Sequence, residues 1–309
     1  MKEKQTSSSN EFLAIGGQAV IEGVLMRNKD TLAIAVRTEK GKIVLKKEKI
    51  PTLTEKYSFF GWPFFRGIVG FFQMLIIGMK ALTYSTNVAL GEDEEVLGFW
   101  EISGMIALSL AFALGFFVLV PYVVTNLLGF DDVRMPLLFN LIDGIIKMGL
   151  FLLYVYAISF MQDIHRVFQY HGAEHKAVNC FEAGKKLTVA NVRQFSPIHP
   201  RCGTSFIMLV MIVGILLLSL IGPLMTFFFP SLLSLPFFFQ KGVLFVIRIL
   251  FLLPIAGVSY EVLKAAGKYR SNKILQLVNS PGLLLQKITT QEPDDKQIEV
   301  AMKALKGVV

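Results

Sequence analysis

The chain is organised by long apolar runs separated by short charged stretches. Residues 102–130 carry no charge over 29 positions, more than the roughly 20 residues that cross a hydrocarbon core as a helix. A second apolar run covers about 137–162 and contains Asp143 and Lys147. The 39 residues from Cys202 to Gln240 are also uncharged. Pro223, Pro230 and Pro236 divide them into a span starting near Thr204 and an apolar, Phe-rich connection. A fourth run covers about 242–260 and contains Arg248. The pattern predicts an α-helical polytopic membrane protein with about four transmembrane helices, over residues 99–263.

The regions before and after the spans read differently. Leu32, Ile34 and Val36 alternate with polar or small residues, residues 39–42 turn, and Ile43 and Leu45 resume the alternation. That is a hairpin pattern. Glycines at 16, 17 and 23 fit a preceding strand or tight loop better than a helix. Residues 13–55 are therefore expected to be a β-containing N-terminal region, after a disordered tail at 1–12. That tail has no apolar run after its lysines, so it does not read as a signal peptide. In 56–98, Arg66 and Lys80 bracket only 13 apolar residues. This predicts an interfacial or re-entrant helical segment with Trp62 and the phenylalanines at headgroup depth, closed by the acidic stretch 91–95. The tail, 264–309, is charged and helical. Pro293-Asp294-Asp295 opens an amphipathic pattern through Val300, Met302 and Leu305.

Composition agrees with a membrane protein. Hydrophobic residues make up 53% and charged residues 17%, with a mean hydropathy of +0.57; soluble domains carry about 25% charged residues. The net charge of +8 comes from Lys and Arg flanking apolar runs, which speaks for anionic lipid and against nucleic acid. Thirteen Lys and Arg precede the first span, six lie in 163–202 and eight in the tail, while the two opposite loops hold only Arg134 and Lys241. Both termini and the loop at 163–203 are thus expected in the cytoplasm. Two cysteines are too few for a disulfide scaffold.

Every histidine and cysteine lies in one 38-residue window, His165 to Cys202. These side chains bind transition metals and do acid–base work near neutral pH. His171 and His175 share a helical face at i, i+4, with Glu174 beside the second. HxxEH is the inverted-zincin arrangement, two histidines on zinc and a glutamate polarising water. The membrane returns His199 and Cys202, just before the third span, to the same level, so either or both can complete the site. Four ligands would make it closed and structural, and three would leave room for water. Glu182 lies seven residues after His175, as a carboxylate ligand or an exposed helix-end acid. Glu261, at the end of the fourth span, is level with the histidines as a distal ligand or a partner for one of them. Cys180 reads as a buried small residue and His165 as interfacial. Lys176, Arg193 and Arg201 read as membrane-side anchors or as contacts for an anionic substrate. Asp143, Lys147 and Arg248 form an intramembrane charge cluster, expected to lock the second span to the fourth.

Four segments, 16–27 (GGQAVIEGVLMR), 170–176 (YHGAEHK), 199–206 (HPRCGTSF) and 259–261 (SYE), resemble the YqhQ-like family of bacterial membrane proteins, a family of undefined function labelled a predicted metal-dependent enzyme. The resemblance runs over about 13–306. It implies a bacterial cytoplasmic membrane location and metal chemistry at His171, Glu174, His175, His199 and Cys202. It adds Glu22, with Glu182 and Glu261, as further site residues, and implies that the 16–27 segment docks near the site. The expected function is a metal-dependent hydrolase using zinc or another divalent transition metal, with Glu174 as general base. It would act at the cytoplasmic membrane face on a membrane peptide or lipid. The alternative is a non-enzymatic scaffold that binds other membrane proteins and holds a closed structural metal. A transporter is disfavoured by the lack of repeats and of a polar path.

Overall fold

Alternating apolar residues in the N-terminal region build a four-stranded antiparallel meander: β1 (Ile15–Val20), β2 (Gly23–Asn28), β3 (Thr31–Arg37) and β4 (Ile43–Lys49), ordered β1-β2-β3-β4. The computed structural model describes residues 15–51, 53, 57–91, 99–130, 135–269 and 271–309. The expected N-terminal tail, the acids at 92–95 and Arg134 lie outside them. The expected hairpin is β3–β4, and the glycine-rich segment extends it with β1 and β2. Two-residue turns close β1–β2 and β2–β3, with Glu22 at φ 50 and Lys29 at φ 53; Lys29, the first residue of its turn, has the positive φ that primed hairpin turns require there. Both faces of the sheet are covered. Val24, Met26, Ala33 and Ala35 pack on one side, and Leu25, Leu32, Ile34 and Val36 on the other.

Among the described residues ten α-helices follow, with bounds that differ from the expected ones at several points. α1 (Phe65–Leu90) is one continuous 26-residue helix containing both Arg66 and Lys80, longer than the expected 13-residue segment. α2 (Phe99–Leu114) passes through a π-turn at Gly115–Leu119 into α3 (Val120–Leu127). The π-turn sits just before Pro121, whose missing N–H removes a regular helical bond. α4 (Pro136–Ile158) is the second expected span. The expected His/Cys loop is largely helical: α5 (Gln162–Glu182) and the single turn α6 (Val189–Arg193). α7 (Gly203–Phe228) runs through Pro223 without ending there. α8 (Phe237–Lys268) continues two turns past Tyr260. The tail holds α9 (Lys273–Thr289) and α10 (Asp295–Leu305).

Among the described residues five helical stretches are long and apolar enough to cross a membrane: Phe65–Leu90, Ser103–Leu127, Pro136–Ile158, Gly203–Met225 and Gly242–Lys268. The first is one more than the pattern predicted. Its second half also covers the sheet, with Ile77, Ala81 and Ala89 buried against Leu25, Leu32, Ile34 and Val36.

On the opposite face of the sheet lie α5 and α10. α5 presents Tyr170, Ala173, Ala177 and Cys180 to it, at helical spacing. α10 begins with a capping box between Asp294 and Gln297 and buries Ile298, Ala301, Ala304 and Leu305. Ala33 is small enough to let α10 approach closely: a Cβ at Gly307, just after that helix, would lie 2.6 Å from the Ala33 Cβ. Asn28 Nδ2 donates to the Val308 carbonyl at 2.9 Å, fastening the C-terminus to β2.

Candidate metal centre

The same helix that packs on the sheet carries the histidines on a second stripe. His171, His175, Asn179 and Glu182 recur at helical spacing and face the segment 196–202. His171 and His175 stand with ring centroids 4.4 Å apart. Cys202 is the N-cap of α7, where its Sγ accepts from the Thr204 N–H at 3.4 Å. Its Sγ lies 3.2 Å from His171 Nε2. One donor atom from each of His171, His175 and Cys202 falls within 4.8 Å of the others.

Backbone carbonyls orient both rings. His171 Nδ1 is 2.8 Å from the Thr289 carbonyl and His175 Nδ1 is 2.6 Å from the Pro197 carbonyl. A carbonyl only accepts, so each Nδ1 carries the proton and each Nε2 turns a lone pair toward Cys202. This is the outer-sphere bond that metal-bound histidines make. Thr289 ends α9, where carbonyls lack intrahelical partners and are available. Burial holds His175 below its ordinary pKa, opposed by its bond to Cys202, and so favours the neutral, ligating ring.

Glu174 is 5% exposed, and its Oε2 has no hydrogen-bond partner among the described residues. Burial pushes its pKa up to about 6, against the pull of His171 and His199. Its other oxygen lies against β1: a Cβ at Gly17 would be 2.7 Å from Glu174 Oε1. This contact explains a glycine in the N-terminal motif and puts that motif at the site. Glu174 is outside the three-donor group, but its buried oxygen without a partner among the described residues feels the charges of His171 and His199, which suits a group acting on a water and not a direct ligand.

Amide side chains clamp the segment that carries His199 and Cys202. Gln286, fully buried in α9, accepts from the His199 N–H (2.9 Å) and donates to the His199 carbonyl and to Ser205 Oγ (both 3.0 Å). Asn279 donates to the Pro200 carbonyl (3.1 Å), and Asn179 to the carbonyls of Ser196 (2.8 Å) and Ile198 (3.1 Å). Backbone carbonyls and amide side chains leave no periodic or compositional mark, so sequence reasoning missed Gln286, Asn279, Asn179 and Thr289. Their only signal is being polar residues on the inward face of an amphipathic helix.

The other expected site residues lie elsewhere. His199 is buried with its ring centroid 5.7 Å from that of His175, outside the three-donor group. Its Nε2 is 3.6 Å from Glu182 Oε2, and Glu182 also pairs with Arg201. Glu22 pairs with Arg166 and accepts from the Tyr170 hydroxyl at 3.1 Å. It docks the β1–β2 turn on α5 without reaching the histidines. Glu261 pairs with Arg66 at 2.5 Å and accepts from the Phe64 N–H at 3.2 Å, joining α8 to α1. Lys176 is buried and donates to the Arg193 carbonyl (3.0 Å) and to Glu292, and Arg193 pairs with Asp295. His165 is exposed, while Cys180 is buried in the core beneath α5, where burial raises its thiol pKa. The charge cluster divides in two. Lys147 meets Asp143 at 2.5 Å, while Arg248 donates to Asn140 Oδ1 at 3.1 Å. Asn140, one turn before Asp143, supplies the link between α4 and α8.

Comparison with known proteins gives a consistent placement. The family described as "Protein of unknown function (DUF1385)" matches residues 62–309. A Bacillus subtilis (strain 168) protein named "Uncharacterized protein YqhQ" is 35% identical over 316 residues, covering 94% of this chain and 91% of that protein. No solved structure matches. The chain belongs to the DUF1385 family, as the YqhQ-like motifs implied.

Proposed function

We propose that this DUF1385 family member is a metal-dependent hydrolase of the cytoplasmic membrane surface, with His171, His175 and Cys202 holding a zinc-like ion. The observation that carries the reading is the three-donor group within 4.8 Å, its two imidazoles turned by backbone carbonyls. The N/S donor set suits zinc, and three protein ligands leave a position for water. When bound, such an ion lowers the pKa of a water and polarises a carbonyl or phosphoryl oxygen. Glu174 is the general base. Its raised pKa, about 6, leaves it ionised near neutral pH yet more basic than an ordinary carboxylate. The missing side chain at Gly17 leaves it room against β1. The substrate is a membrane peptide or a lipid, because the site stands at the head of α7.

In this reading four helices cross the bilayer and α1 does not. Phe64 packs on Gly257 and Gly67 on Tyr260, so α1 starts about 16 Å inside the Lys268 end of α8 at 1.5 Å per residue. Phe71 then meets Phe206 at the start of α7 (ring centroids 5.8 Å), and the second half of α1 covers the sheet. A helix so placed enters and leaves one side of the membrane. The Lys and Arg distribution puts that side, the metal site and both termini in the cytoplasm.

A closed structural site in a partner-binding scaffold is the second reading. It is favoured by His199, a buried imidazole whose ring centroid is 5.7 Å from that of His175. Metal analysis of purified protein, with assay of fatty acid or peptide release from membranes, separates the two. About one zinc per chain is expected, lost in His171→Ala/His175→Ala. Glu174→Gln keeps the metal and loses release. Metal retained in the double variant refutes the site. Metal retained by wild type, with no release and with loss of metal in His199→Ala, selects the structural reading.

A further inference from the structure

At 100° per residue α9 divides into three arcs. The arc against α7 is small or polar: Asn279, Gly282, Gln286 and Thr289 are all buried. A Cβ at Gly282 would lie 2.5 Å from the Ser205 Cα, so α9 crosses the first turn of α7 in direct backbone contact. A second arc is polar and carries the exposed Lys273 and Lys287. The third is apolar and open: Ile274 and Leu277 are each 72% exposed and Leu284 is 59% exposed.

The fold identifies what covers that open arc. α7 has 26 residues, about 39 Å of helix against a core of about 30 Å, so its first turns stand at headgroup level. α9 rests on them and on α4, where Leu285 shares a buried cluster with Met208 of α7 and with Val155, three residues from the same end of α4. The apolar arc therefore continues the outward apolar surface of the spans, which carries Ile207, Phe160 and Met161 at that level. The lysine arc alongside it suits anionic headgroups.

We infer that α9 lies in the plane of the membrane, in the leaflet on the side of the His/Cys site, and that lipid contact braces the site through it. Its apolar arc enters the acyl region. Its buried arc holds the His199 backbone through Gln286 and the His171 ring through the Thr289 carbonyl. The brace rests on the metal reading proposed above, and the placement of the helix does not.

The test uses the full chain in nanodiscs, with Trp62 and Trp100 replaced by Phe and one tryptophan introduced. Lipids brominated on the acyl chain should quench Leu277→Trp and Ile274→Trp roughly twofold, as a depth of about 5–10 Å predicts, and leave Gln276→Trp nearly unchanged. Quenching of Leu277→Trp by aqueous acrylamide instead of by bromolipid overturns the placement. For the brace, Leu277→Glu should weaken zinc affinity about tenfold, as loss of an outer-sphere contact does, with helical content unchanged. Unaltered zinc affinity in that variant overturns the brace. A wild-type protein that binds no zinc overturns the metal reading and the brace together, and the quenching pattern still decides the placement.

Discussion

Gly172→Ala is expected to destabilise the protein, although alanine is the better helix former by about 1 kcal/mol. Gly172 lies inside α5, between His171 and the rest of the HxxEH turn. A Cβ there would stand 2.0 Å from the Gln291 carbonyl oxygen. To regain an ordinary contact of 3.4 Å, the segment after α9 must retreat by about 1.4 Å. That segment is tied down. The Gln291 N–H donates to the Phe168 carbonyl at 2.9 Å, and the Thr289 carbonyl holds His171 Nδ1 at 2.8 Å. Such a retreat breaks both bonds, at about 1 kcal/mol each, and overpacking adds about 1–3 kcal/mol. Set against the helix gain, the net loss is about 2–4 kcal/mol. The unfolding midpoint should then fall by roughly 3–6 °C. A thiol-reactive fluorophore reads the transition directly in detergent, since Cys180 and Cys202 are both buried. Zinc affinity should weaken about tenfold in the same variant, because His171 loses the acceptor that orients it. An unchanged or raised midpoint would refute the reasoning, since only the close backbone approach reverses the usual sign of a Gly→Ala change in a helix.

Gln286→Leu keeps the bulk of the side chain but removes the buried acceptor of the His199 N–H and one of the two donors to the His199 carbonyl, which the Cys202 N–H also reaches at 3.3 Å. A stability loss of about 1–3 kcal/mol is expected, with weaker metal binding, and zinc titration with thermal unfolding checks both. Asp143→Ala strands Lys147 beside lipid and should lower the unfolding midpoint in detergent while leaving metal content unchanged; lost metal would instead couple the charge cluster to the site. A cysteine introduced at Arg134 should react with a membrane-impermeant thiol reagent in whole cells and one at Lys185 should not. The opposite pattern inverts the proposed topology.

The coarse class of this protein was legible in its sequence. Apolar runs near 20 residues, a low charge content and clustered Lys and Arg announce membrane helices, because hydrocarbon demands continuous apolar surface. The i, i+4 histidines lie on one helical face whatever the fold around them, and the hairpin alternation marks β3 and β4. What tertiary structure decided is which neighbours those residues meet. Local periodicity placed Cys202 and His199 equally well in the site; the three-dimensional path of 196–202 puts Cys202 beside His171 and turns His199 to Glu182. The family resemblance pointed to Glu22 and the depth of the fourth span's end pointed to Glu261, yet each is paired with an arginine far away in sequence, Arg166 and Arg66. The length of α1 was hidden because two charges interrupt its apolar run, although Arg66 meets Glu261 and Lys80 lies on the exposed side. The Gly17–Glu174 contact spans 157 positions. Sequence sets a side chain's chemistry and helical face, but contacts over such distances depend on chain paths that no local pattern encodes.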